Sequence, residues 1–147
     1  LTRQNLPQLR TEAAENRCAR GAYRLLAAQN ERRVVLIATG SEVEVAVGVR
    51  ERLEAAGVGA DVVSMPCWSR FDAQPEDYRR DILPDHVFRV SIEAGATFGW
   101  ERYTGIFGLR CGIDGFGASA PAEDLFRHFG LTAEAIAPRV LAALGNH

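Results

Sequence analysis

The sequence predicts a three-layer α/β/α sandwich on a mostly parallel sheet of about five strands, one of them antiparallel. Three observations predict it. Short β-rich runs alternate with stretches of helical period, the pattern of a parallel sheet covered on both faces. Two apolar runs near the start flank a polar stretch and add an antiparallel strand. The 147 residues, 47% apolar and 24% charged, suit one soluble domain with a real core.

Each element follows in order. Residues 1–20, "LTRQNLPQLRTEAAENRCAR", are polar and without period. They predict a linker or arm from a preceding domain, laid over the surface of a domain that spans 21–147. Apolar runs at 22–27 and 34–39 surround "QNERR" and predict a hairpin. The spacing of Ala46, Val49, Leu53 and Ala56 predicts a helix over 42–56, ended by Gly57. "ADVVSM" is a strand that stops at Pro66, and "PEDYRRDIL" a short helix with Pro75 in its first turn. "HVFRVSI" reads as a buried strand, "FGWERYTG" as a helical turn and "LRCGID" as a last strand. "PAEDLFRHF" and "TAEAIAPRVLAAL" close the chain as helices.

Charge and composition exclude several functions. The formal charge is −2, with both signs interspersed, so there is no basic footprint for nucleic acid and no cationic face for a membrane. No apolar run is long enough to span a bilayer, and no secretory leader is visible. Cys18, Cys67 and Cys111 lie far apart without a C-x-x-C pair, which argues against a cysteine zinc site. It fits reduced thiols in a cytoplasm. His86, His128 and His147 have no ligand spacing. The chain opens on Leu1 and its only methionine is Met65, so a piece of a longer protein is expected.

The strand–glycine–helix passage "VVLIATGSEVEVAV" has the outline of a phosphate loop. It lacks both G-x-G-x-x-G and G-K-[ST]. Ser41 and Glu44 instead match a capping box, and the acidic residues there would repel a phosphate. Gly40 is therefore expected to turn the chain and Ser41 to cap the helix. Glu93, just past a buried strand, stands where α/β sheets place ligands. With no histidine or second carboxylate near it in sequence, a structural carboxylate or subunit contact is the expectation. Phe98, Trp100 and Tyr103 predict core or interface, with interface preferred. Ser119 or Ala120 would cap a helix with Pro121 in its first turn. No G-x-S-x-G elbow or Cys–His pairing occurs, so the domain alone carries no catalytic, cofactor or metal residue that spacing can assign.

Five stretches in register resemble one family. They are "LTRQNLPQL", "IATGSEVEVAV", "VVSMPCWSRFDAQPEDYRRDILP", "VSIEAGATFGWERYTG" and "GFGASAPAEDLFRHFGLTAEAI", and together they resemble the C-terminal domain of transketolases. The resemblance implies a homodimeric thiamine-diphosphate and magnesium enzyme that moves a two-carbon ketol unit between sugar phosphates. The route would be the pentose phosphate pathway or the Calvin cycle. It also implies a mixed sheet with one antiparallel strand, and a cofactor bound upstream of Leu1. The family's phosphate-binding arginine of the L-[ST]-R-Q segment falls on Arg3. A guanidinium suits that task because its fork matches phosphate oxygens and stays charged. Two rival expectations stand beside this one. The first is a regulatory or interaction module holding a small anionic effector near Gly40, Ser64 and Glu93. The second is the equivalent domain of another thiamine enzyme, a 2-oxoacid dehydrogenase subunit or deoxyxylulose-phosphate synthase.

Overall fold

The computed structural model describes residues 5–12, 14–115 and 121–145. A 3-10 turn at Arg17–Arg20 precedes β1 (Tyr23–Leu26), β2 (Arg32–Ala38), α1 (Glu42–Ala55) and β3 (Gly59–Ser64). Then come α2 (Trp68–Asp72), α3 (Glu76–Ile82), β4 (Phe88–Ile92), α4 (Glu101–Thr104), β5 (Leu109–Cys111), α5 (Ala122–His128) and α6 (Ala133–Gly145). The five strands form one sheet in the order β1-β3-β2-β4-β5. Only β1–β3 is antiparallel; the other three pairings are parallel.

The strand β2 shows why the sandwich has three layers. Val34, Leu36 and Ala38 point into one core, with Val49 and Leu53 of α1 and Ile136 and Val140 of α6. Val35 and Ile37 point into the opposite core, with Phe71 of α2, Ile82 of α3 and Tyr103 of α4. Alternate side chains leave opposite faces of a strand, so a run apolar on both faces must lie centrally under two helical layers.

The expected hairpin does not form. β1 pairs with β3, with Tyr23 opposite Ser64, and β2 lies on the other side of β3. The physical reason is burial. Val34 to Ala38 are wholly inaccessible and take the centre, whereas β1 is half-buried along its length and suits an edge. The residues between the two strands are a crossing loop. The Asp61 carboxylate accepts the Ala28 N–H at 2.8 Å. The Glu54 carboxylate accepts the N–H groups of Gln29 and Asn30 at 2.9 and 3.0 Å.

Ala46, Val49 and Leu53 face the core as expected, while Ala56 is exposed. The capping box is also corrected. Ser41 has helical dihedrals and makes no side-chain cap. Its hydroxyl donates instead to Glu42 Oε1 at 3.1 Å. The first helical N–H groups are met by backbone, Glu42 to Thr39 O and Val43 to Gly40 O, so no side-chain cap is required. Pro75 and Pro121 stand at N-cap positions rather than inside the first turn. Ser119 and Ala120 lie outside the described residues. The short α2 had no counterpart in the sequence reading.

Candidate functional site

The chain leaves β2, crosses through α1 to β3 on one side, and later returns as β4 on the other side. The carboxyl ends of β2 and β4 therefore flank the sheet's switch point, where open α/β sheets hold ligands. Gly40 makes the first turn with φ +57°, a conformation a glycine adopts freely.

Two carboxylates meet at this end. Glu42 is only 4% exposed and is hydrogen-bonded by Ser41. Glu93 lies across the switch point with its Oε2 buried and without a hydrogen-bond partner. Desolvation, and then the charge of Glu42, push the Glu93 carboxyl up to about 7. Sequence reading found Glu93 but not its neighbour. Glu42 looked like a residue of the helix start, and nothing local announces that β4 ends beside it.

The loop after β4 is tied down. The Glu93 N–H donates to Cys111 O at 3.0 Å and the Ile113 N–H to Gly95 O at 2.8 Å. The Asp114 carboxylate accepts the Thr97 N–H at 2.7 Å and the Thr97 hydroxyl at 2.8 Å. The Thr97 backbone N–H, and then its hydroxyl, hold Asp114 below the usual carboxylate range. The aromatic stretch splits in two. Trp100 and Tyr103 are core residues, each 3% exposed, whereas Phe98 is 87% exposed. The expected interface cluster is thus mainly internal, with Trp68 packed edge-on against both Trp100 and Tyr103.

The remaining groups fix the scaffold. Among the described residues no three His, Cys, Asp or Glu side chains gather to hold a metal. No described helix is long and apolar enough to cross a membrane. The half-buried Cys67 thiol is drawn down, first by the Ser69 hydroxyl; burial pushes the Cys111 thiol up. Ser64 ends β3 beside Ala38 of β2, at the same carboxyl edge and one strand from the β2–β4 switch point. Arg3 lies outside the described residues. Asn5, two positions later, lines a groove with Ser41 and Glu44 at the start of α1.

Taken together, the mostly parallel sheet with its antiparallel edge strand and its glycine turn at the carboxyl end defines the class: an α/β sandwich domain with a switch point between β2 and β4. A family model described as "Transketolase-like TK C-terminal domain" matches residues 21–132, and the chain belongs to that family. It is 51% identical over 146 residues to the transketolase of Sinorhizobium medicae, covering 98% of this chain and 21% of that protein. It is 48% identical over 139 residues to the chloroplastic transketolase of Solanum tuberosum, covering 92% and 19%. A Pichia stipitis transketolase solved in complex with sedoheptulose 7-phosphate superposes with TM-score 0.86 at 38% identity, covering 97% of this chain and 20% of that one. The chain thus spans about a fifth of the length of these relatives.

Proposed function

We propose that this chain is the C-terminal domain of an enzyme that transfers a two-carbon ketol unit from a ketose phosphate to an aldose phosphate. The observation that carries the reading is the match along nearly the whole chain to transketolases, in sequence and in fold. Residues 1–20 act as the arm from the preceding domain. Arg3 supplies the guanidinium that grips the sugar phosphate by two parallel charge-assisted hydrogen bonds. What supports this role is the L-T-R-Q segment itself, residues 1–4 of the sequence. The parent works as a homodimer, and its proposed compartment is the cytoplasm.

Thiamine diphosphate and magnesium supply the parent's carbanion chemistry. The described residues of this chain do not fit them. Glu42 and Glu93 oppose a diphosphate at the switch point, and no triad of metal ligands is present among the described residues. The cofactor's place is accordingly elsewhere in the parent. The same two carboxylates argue against a small anionic effector at this end.

The test is kinetic. In the full-length enzyme, Arg3→Leu is expected to lower kcat/KM for phosphorylated sugars about 10- to 100-fold, the size of a charged hydrogen-bond pair. An unphosphorylated ketol donor is expected to react unchanged. Equal loss with both donors would overturn the assignment. The isolated chain is expected to give no heat on titration with thiamine diphosphate and magnesium; a saturable isotherm would contradict it.

A further inference from the structure

The loop that follows β4, residues 93–99, is held in place along its length. Besides the ties to Cys111, Ile113 and Asp114, the Gly99 N–H donates to Glu101 Oε2 at 2.9 Å. Gly99 has φ +89°, and a Cβ on it would stand 3.0 Å from the Trp68 ring. Trp68 in turn packs on Trp100 and Tyr103. A loop secured this way has little conformational entropy left to lose on binding.

That loop leaves two needs unmet. It displays Phe98 at 87% exposure, a large apolar ring on a preorganised support, which is the profile of an interface anchor. It also encloses the Glu93 Oε2, buried and without a hydrogen-bond partner, beside the buried Glu42. A buried polar atom left unsatisfied calls for an explanation. A second macromolecular surface answers both needs at once.

We propose that loop 93–99 is a contact surface for the remaining part of a transketolase-length polypeptide, which offers an apolar recess to Phe98 and an arginine or lysine to the half-buried Glu93. Charge complementarity selects this occupant. Among the ion pairs of the described residues, none engages Glu42 or Glu93. The relatives carry about four-fifths of their length outside the matched region, more than enough chain to supply a basic partner. A second copy of this chain fits worse, because a two-fold contact at this patch brings identical carboxylates face to face. The inference rests on the transketolase reading above and adds a partner surface to it.

The test replaces the matching C-terminal segment of the Sinorhizobium medicae transketolase with this chain. Hydrogen exchange at residues 94–98 is then compared between the chimera and the free chain. At least tenfold slower exchange is expected in the chimera. Phe98→Ser, at an exposed position, is expected to abolish the difference, and Glu93→Gln to reduce it. Equal exchange in both proteins would overturn the proposal. So would a free-chain dimer by light scattering that Phe98→Ser dissociates, since the occupant would then be a second copy. Ketol transfer by the chimera is read separately. Transfer with an unprotected loop sinks only the contact, whereas a folded chimera without transfer sinks the parent reading.

Discussion

At the scale of single residues, Glu93 carries the clearest pH dependence. Its carboxyl is raised from 4.5 to about 7 in the fold, first by desolvation and then by Glu42. The folded protein therefore holds this proton more tightly than the unfolded chain does. Its contribution to stability is complete below pH 4.5, and it is lost as pH rises through about 7. Glu93→Gln is expected to leave stability at pH 4 nearly unchanged and to add about 1–3 kcal/mol at pH 8. Urea denaturation at both values measures it; equal gains would count against a raised carboxyl. Glu54 has the opposite sign. Desolvation works against it, but N–H donors from Ala60, Gln29 and Asn30 prevail and bring it from 4.5 down to about 2. Its contribution is present above pH 4.5 and is lost as pH falls toward 2. Glu54→Gln is expected to flatten acid unfolding between those values. Asp61 anchors the same corner. It is 2% exposed and accepts from Arg32 Nη1 at 3.1 Å and the Ala28 N–H. Arg24 Nε stands 2.7 Å from it, an ion pair whose N–H is not aimed as a hydrogen bond. Asp61→Ala would strip the partly buried Arg32 of its carboxylate and leave Arg24 with Asp81, at an expected cost of about 2–4 kcal/mol in equilibrium unfolding.

At the scale of elements, the start of α1 shows what a glycine does here. A Cβ on Gly40 would meet nothing nearer than Glu42 Oε2 at 3.9 Å, so space is not the constraint; φ +57° is. Gly40→Ala is expected to destabilise the domain by about 1–2 kcal/mol through the left-handed backbone alone. Leu53→Ala, at a wholly buried position, is expected to cost about 2–5 kcal/mol. Both are read by thermal or urea unfolding. The helix over 42–56 was legible because its apolar spacing is local, and so were the strands of "VVLIA" and "HVFRVSI". The partner of β1 was not. An apolar run states that a strand exists, not which edge it joins, and here Asp61 and Glu54, both distant in sequence, direct the crossing. The capping box misled for a related reason. Ser41 and Glu44 have the right spacing, yet a turn already closed by Thr39 and Gly40 carbonyls leaves the serine free to serve Glu42. The pairing of Glu42 with Glu93 was likewise invisible, because it is created by strand order.

At the scale of the whole molecule, two cores on opposite faces of one sheet are spliced by β2. The family and its mixed sheet were legible from five motifs in order, since each such motif records local chemistry. The surface role of Phe98 was half legible. The aromatics announced large contact areas, but only packing separates those turned inward from the one turned out. The edge strand has a temporal consequence. β1 is synthesised before the other four strands, yet among the described residues it pairs with β3, which emerges after β2 and α1. During translation β1 must wait unpaired until the third strand arrives, so this margin of the sheet leaves the ribosome before the other four strands and cannot be zipped before the centre has formed.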